Sequence, residues 1–444
     1  MYRMKEMNGT MIRKIRNNWL PIVLTIAVLV SLGLSGLIWT NPSRYDRGHE
    51  ASTSSGQSQL SNKTIADVFL PNQAVWTNKK GDQKLLYTKK SSLTKAIKTK
   101  VSGWDFGHIS KVASKDNQSY LGYLNQRDAL VLNYPDSVTT AIFNETFKQS
   151  LNQKKISKID RIVIPLENAR HIYLLHDSDA SVYSVTVKNH SSLENIRKLM
   201  QEDADQVQVS EQFLNNRIIL AFDNQTTLPI YSYLMTKQSD SSFTNSLLNS
   251  DSSYNIAVHK KDHITTYTDG TDKRMTINSK NGKAAYEDFL DENDRVADSQ
   301  LLTKSFQQLS EIGVNLESMH YDNINLAKNR VTYRTYVECF PIFNQDGYGT
   351  VSLTYAKNGK QTYNFSLYGL EVPVPNSATQ SVPATKDVIA SLNRVGIKTK
   401  DISDMRIEYE WNSTRKSNTV VNLKPAYYVK YNGKWQNYQD LINR

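Results

Sequence analysis

The chain has 444 residues, a net charge of +11 and a single cysteine. That length allows roughly two to four domains, and one cysteine excludes an intrachain disulfide framework. The basic residues come as scattered pairs, such as Lys79-Lys80 and Lys260-Lys261, which suits a solvated surface and argues against a nucleic-acid groove.

The first element is the apolar run from Trp19 to Trp39, which holds no charged residue. As a helix it would cover the roughly 30 Å hydrocarbon core of a bilayer, with a Trp at each interface. Arg3, Lys5, Arg13, Lys14 and Arg16 precede it against Glu6 alone. Positive-inside bias then makes residues 1–18 a cytoplasmic tail, 19–39 a single transmembrane helix and the bulk of the chain extracytoplasmic. A cleaved signal peptide is the rival, with Gly33 and Ser35 as small residues before the cut. The run continues through Leu37, Ile38 and Trp39, beyond an h-region of about 7 to 15 residues, and so favours a retained anchor in the cell membrane. Ser31, Ser35 and Gly36 give that helix a small face, a candidate helix contact. Residues 40–63 are rich in Ser, Gln and Gly and read as a flexible stalk.

Residues 64–156 read as a first extracytoplasmic domain. Short strands surround the Gly81-Asp82 turn, a helix is expected over 91–101, and Val138, Ile142, Phe143, Phe147 and Leu151 predict an amphipathic helix over 136–153. Residues 157–300 read as a second domain. Its strand candidates are `IDRIVIPL`, `RHIYLLH`, `SVYSVTVKN`, `RIILAF` and `LPIYSYLM`. A helix follows Ser191 or Ser192, a short one covers 243–248, and a polar hairpin spans `YNIAVHKKDHITTYTD` and `KRMTIN`.

The C-terminal domain, 301–444, carries an internal recurrence. Leu309, Ile312, Gly313 and Val314 return as Leu392, Val395, Gly396 and Ile397, shifted by 83, while Pro341 and Phe343 return as Pro425 and Tyr427, shifted by 84. Each glycine is placed to end an amphipathic helix with left-handed dihedrals. The expectation is two diverged modules, 301–372 and 384–444, joined by an extended connector with Pro373, Pro375 and Pro383. The expected fold class is α+β: a single N-terminal transmembrane helix, then a multidomain region of mixed and antiparallel sheets ending in two related modules.

Chemical signatures are sparse. His171 and His176 fall on opposite faces of a strand, and His259 and His263 lack a partner Glu or Cys at metal-ligand spacing. Phosphate-binding glycine loops, a `GxSxG` elbow and `CxxC` are missing from the sequence. Cys339 sits in the alternating run `VTYRTYVECFPIF` as a small buried hydrophobe. The reading is no catalytic residue, no cofactor and no metal. Tyr residues alternate with polar ones in the last strands. Tyr427, Tyr431 and Trp435 are candidate protein-contact residues, since Tyr and Trp make large rigid contacts; half-buried strand positions explain the same pattern.

The segments `LIWTNPSRY`, `IDRIVIPLENARHIYLLHD`, `VTYRTYVECFPIFNQDGYGTVSL` with `LYGLEVP`, and `DISDMRIEYEW` to `LKPAYYVKYNGKW` resemble the YycH (WalH) family over nearly the whole chain. The resemblance implies no enzymatic residues. It implies an accessory regulator of an essential WalK-like sensor histidine kinase that controls cell-wall metabolism in Gram-positive bacteria, working with a YycI-like single-pass membrane protein. An envelope structural protein that binds cell-wall polymer is the alternative.

Overall fold

The computed structural model describes residues 28, 31 and 63–443, less 88–92, 190–191, 204, 216, 249–255, 271, 290–295 and 412–418. The membrane-spanning helix expected at 19–39 is not found. Among the described residues no helix is long and apolar enough to cross a membrane. Of the expected anchor only Val28 and Ser31 are described, both helical and exposed, whereas a crossing needs about 20 consecutive apolar helical residues. The rest of that segment, with Ser35 and Gly36, lies outside the described residues, as do the expected tail and stalk up to residue 62. The single-pass topology and the cell-membrane localisation rested on that helix and are corrected with it.

The α+β class holds. Nine strands form the first sheet: β1 (Gln73–Thr77), β2 (Gln83–Tyr87), β3 (Phe106–Ala113), β4 (Ala129–Thr139), β5 (Lys158–Pro165), β6 (His171–His176), β7 (Ser181–Val187), β8 (Asp205–Leu214) and β9 (Arg217–Phe222). Their order is β3-β7-β6-β5-β4-β1-β2-β8-β9, with neighbours antiparallel. Both faces of its centre are covered. Leu130, Leu132, Ile162 and Ile164 enter one core, while Val131 and Val163 between them enter another. This is why β4 and β5 read as continuous apolar runs rather than alternating ones.

The second sheet has fourteen strands. It is antiparallel except where Phe340–Phe343 lies parallel to Ile402–Trp411. Its end strand Ala257–Lys261 is exposed at every residue. Helix Leu301–Ile312 packs on strands that follow it, Arg330–Val337 and Thr350–Tyr355, whereas Thr385–Arg394 packs on β9 of the first sheet and on the C-terminal helix Tyr438–Ile442. Gly313 (φ 91°) follows the first and Gly396 (φ 86°) comes two residues after the second, both left-handed. Pro341 lies in the short strand Phe340–Phe343, the third strand after its helix. Pro425 lies within the long strand Val420–Tyr431, the second after its own.

The helix expected over 136–153 is shorter. β4 stays extended to Thr139, whose hydroxyl accepts from the Ile142 amide and starts the helix Thr140–Phe147. Lys148 adopts φ 53° and stops it. Asn144 then exchanges two hydrogen bonds with the Leu151 backbone, so Leu151 reaches the core from a loop. Cys339 is buried, and burial pushes its thiol pKa up.

Candidate functional site

Three strands lose register at one place. β4 and β5 are out of step between Asn133 and Val138. Strand Met319–Asn325 slips against its neighbour between Tyr321 and Asn323, and strand Ile402–Trp411 between Ile402 and Asp404. Such bulges re-aim side chains. Here they bring the residues between Asn133 and Val138 together with Asp322 and Asp404. The Tyr321 hydroxyl donates to the Ser137 carbonyl at 2.9 Å, and the Ile324 amide donates to Asp136 Oδ2 at 3.2 Å. The first sheet is thereby tied to the second along a cavity of about 200 Å³ lined by Tyr134, Asp136, Asp160, Arg161, Arg217 and Arg406, among others.

Each arginine in or beside this cavity is committed. Arg161 grips Asp177 with Nε and Nη2, both at 2.9 Å, and reaches Glu211 with Nη1 at 3.1 Å. Arg217 Nε lies 2.7 Å from Asp404, and its Nη2 donates to the Pro135 carbonyl at 3.0 Å. Arg406 is 3.0 Å from Asp322 and 2.6 Å from Glu408. Arg334 meets Asp322 from the other side at 3.0 Å. Burial alone would raise the Asp322 pKa, but the two arginines outweigh it and hold the carboxyl at about 2. The Tyr336 hydroxyl also donates to this carboxylate, at 3.1 Å.

Asp136 and Asp160 have no lysine or arginine bridge among the described residues. Both touch Ser137. Its amide donates to Asp136 Oδ1 at 2.9 Å, and its hydroxyl donates to Asp160 Oδ1 at 2.6 Å. Asp160 also accepts from the Asp177 amide at 2.8 Å, and His176 Nε2 stands 4.0 Å away. Burial and the neighbouring Asp177 carboxylate push Asp160 up to about 6. Burial likewise raises Asp136, with Arg217 opposing, and Glu211, with Arg161 opposing. Three polar atoms on cavity-lining residues, Tyr134 Oη, Asn133 Oδ1 and Asn72 Oδ1, have no hydrogen-bond partner among the described residues.

The contact residues expected from sequence are not brought together. Tyr427 is 1 % exposed and shares a 2.9 Å hydrogen bond with Thr385 Oγ1, which makes it a core residue. Tyr431 and Trp435 are half-buried. Trp435 pairs with Lys430 across the terminal hairpin, so its ring lies on the face opposite Tyr427 and Tyr431. That ring covers the Arg406 guanidinium at 4.5 Å and joins the charged cluster. Ser31 is an exposed helical residue. Among the described residues no group of three or more His, Cys, Asp or Glu side chains could hold a metal ion.

The sequence reading missed Asp136, Asp160, Arg161, Asp322 and Asp404 as a cluster. A signal was present: Asp160-Arg161 interrupts the apolar run Ile159 to Ile164, and charges inside a strand buried on both faces need partners.

Comparison with known proteins agrees with this architecture. The chain is 22% identical over 452 residues to the two-component system WalR/WalK regulatory protein YycH of Bacillus subtilis (strain 168), covering 94% of this chain and 95% of that one. The crystal structure of YycH from Bacillus subtilis matches with a TM-score of 0.68 at 17% identity, covering 86% of this chain and 99% of that one, and so shares the fold. The model of the YycH N-terminal domain matches residues 17–204, and that of the YycH C-terminal domain matches 216–443. Together they span both sheets apart from β8, which falls between them, and the chain belongs to the YycH family.

Proposed function

We propose that this protein is a non-catalytic regulator of a WalR/WalK-type two-component system, and that it acts by contact with the sensor histidine kinase and a YycI-like partner. The observation that carries the reading is its match, over nearly the full length of both chains, to a relative named as a WalR/WalK regulatory protein. The chemistry of the cleft is compatible. Its arginines are paired with carboxylates, and one of these pairs, Arg217 with Asp404, joins the two sheets. A regulator of this kind changes kinase output through the free energy of a protein contact that differs between kinase states.

The test is kinase autophosphorylation with and without the purified full chain, paired with affinity capture of the chain from its own cells. The expected result is a change in phosphorylated kinase, of either sign, with the kinase and a YycI-like protein in the captured material. Unchanged phosphorylation, with the chain sedimenting with purified cell-wall polymer instead, would replace this reading with that of a structural wall-binding protein.

A further inference from the structure

Asparagine followed by glycine is open to succinimide formation, because glycine puts no side chain in the way of its own attacking nitrogen. Among the described residues three such pairs occur, each followed by lysine: Asn281-Gly282-Lys283, Asn358-Gly359-Lys360 and Asn432-Gly433-Lys434. A fourth, Asn8-Gly9, lies outside the described residues. The local chemistry of the three is nearly equal, and the fold separates them. Gly282 is buried under Tyr368, and its amide donates to the Asn278 carbonyl at 2.7 Å. The Asn281 side chain accepts from the Lys283 amide at 3.2 Å and donates to Asp346 at 3.4 Å. Gly359 is buried too, with its amide on the Ala356 carbonyl at 3.1 Å, and Asn358 accepts from the Lys360 amide at 3.3 Å. The third pair forms the turn between strands Val420–Tyr431 and Lys434–Asn437, with both residues left-handed at φ 51° and 72°. Both are exposed, and neither the Asn432 side chain nor the Gly433 amide has a hydrogen bond among the described residues. Nothing lies within 4 Å of the place a Gly433 Cβ would take.

We propose that Asn432 is a site of spontaneous deamidation in the folded protein, and that its isoaspartyl product releases Trp435 from Arg406. The Gly433 amide gives its proton to solvent base, and its nitrogen bonds to Cγ of Asn432. The Cγ–Nδ2 bond breaks and ammonia leaves. Water then opens the succinimide. Cleavage between Cγ and the Gly433 nitrogen gives aspartate, and cleavage at the main-chain carbonyl gives isoaspartate, so one water is consumed and one ammonia released. Ring closure takes an asparagine out of its folded conformation, so each site must first open locally and the cost of opening sets the rate. That cost is least where the glycine amide and the asparagine side chain are both untied. Isoaspartate routes the main chain through Cγ and lengthens it inside a hairpin whose pairs are Tyr431 with Lys434 and Lys430 with Trp435. The two-residue turn no longer fits that register. The Trp435 ring, 4.5 Å from the Arg406 guanidinium, is held there by the same register. This goes beyond the regulatory reading and needs no partner protein.

The experiment ages the full chain in mildly alkaline buffer, folded and in urea, and maps its peptides by mass spectrometry with isoaspartyl methyltransferase labelling. In urea the three sites should convert at similar rates. In the folded protein Asn432 should convert about tenfold faster than Asn281 or Asn358, the factor expected from the hydrogen bond that holds each of the other glycines. Ageing should lower the thermal midpoint of the chain but not that of Asn432→Gln, whose longer side chain closes its ring slowly. Fresh Asn432→Asp, which brings the charge without lengthening the main chain, should keep the midpoint of the fresh protein. In Trp435→Leu the loss on ageing should shrink. Equal folded rates at the three sites, or faster conversion at Asn281 or Asn358, would overturn the assignment of the site. A midpoint unmoved after Asn432 has converted, or an undiminished loss in Trp435→Leu, would overturn the release of Trp435.

Discussion

Arg217, in the last strand of the first sheet, lies 2.7 Å from Asp404, at the bulge of a strand of the second sheet. The pair closes one side of the cleft, with the Asp404 side chain nearly buried and that of Arg217 more than a third exposed. It is therefore neither a surface ion pair nor a dry one.

A double-mutant cycle of Arg217→Ala and Asp404→Ala, followed by urea unfolding, should give a coupling energy of about 1–2 kcal/mol, between the ranges for exposed and buried pairs. A coupling indistinguishable from zero would mean that the sheets are held by their apolar contacts alone.

Asp160 and Asp322 should act oppositely on stability as pH changes. The folded state raises Asp160 from its ordinary 3.8 to about 6. Its contribution is thus complete below 3.8 and is lost as pH rises through about 6. Asp160→Asn should be relatively more stable near neutral pH than in mild acid, by about 3 kcal/mol at most. Asp322 is held at about 2, so its contribution is present above 3.8 and is lost as pH falls towards 2. Asp322→Asn should be most damaging near neutral pH and least damaging below pH 2. Thermal midpoints of both variants across this range check the signs, and parallel profiles would contradict the assignment.

Gly313 and Gly396 share left-handed dihedrals, but their surroundings differ. A Cβ at Gly313 would meet Ser246 Oγ at 3.1 Å, whereas one at Gly396 meets nothing within 4 Å. Replacement by Ala should cost about 1 kcal/mol at Gly396 from backbone strain alone and more at Gly313. Equal losses by chemical denaturation would show that Ser246 turns aside freely.

Tyr427 and Trp435 should separate in the same assay. Tyr427→Leu removes a fully buried ring and a hydrogen bond, at a cost of about 2–4 kcal/mol. Trp435→Leu removes a half-buried ring over Arg406, costing about 1–2 kcal/mol. A larger loss at Trp435 would make the Arg406 contact a main support of the cleft.

Much of the fold could be read from periodicity. The apolar run of β5, the helix at Leu93–Val101, the polar hairpin from Ala257 to Asn278 and the glycine-ended helices all stand out, because burial imposes a local spacing, whereas β4 is not recognised as a strand. The cluster was hidden because its parts obey no local spacing. Asp136 looked like the first turn of a helix, since Val138, Ile142 and Phe143 have helical periodicity. The strand persists because the Thr139 hydroxyl caps later and Asp136 is held by an amide from Ile324. Asp322 and Arg406 lie in ordinary-looking strands, and only the coincidence of three bulges makes them neighbours. Trp435 stood out as an aromatic anchor, but its guanidinium partner is a tertiary fact.

The bulged strands have a consequence for synthesis. A ribosome delivers β1 to β9 well before strands Met319–Asn325 and Ile402–Trp411 emerge. The nascent first sheet therefore carries Asp136 without its Ile324 amide and Arg217 without Asp404. Its unfinished flank also leaves Phe69 without Tyr321, Tyr87 without Phe340 and Phe222 without Tyr427, so an apolar surface stays open to premature association until the later strands arrive. The arrival of the last strands then converts that flank into a closed interior. Docking of the seam becomes a late event in maturation, and chains truncated before residue 402 are left with it open, Arg217 without Asp404 and Phe222 without Tyr427.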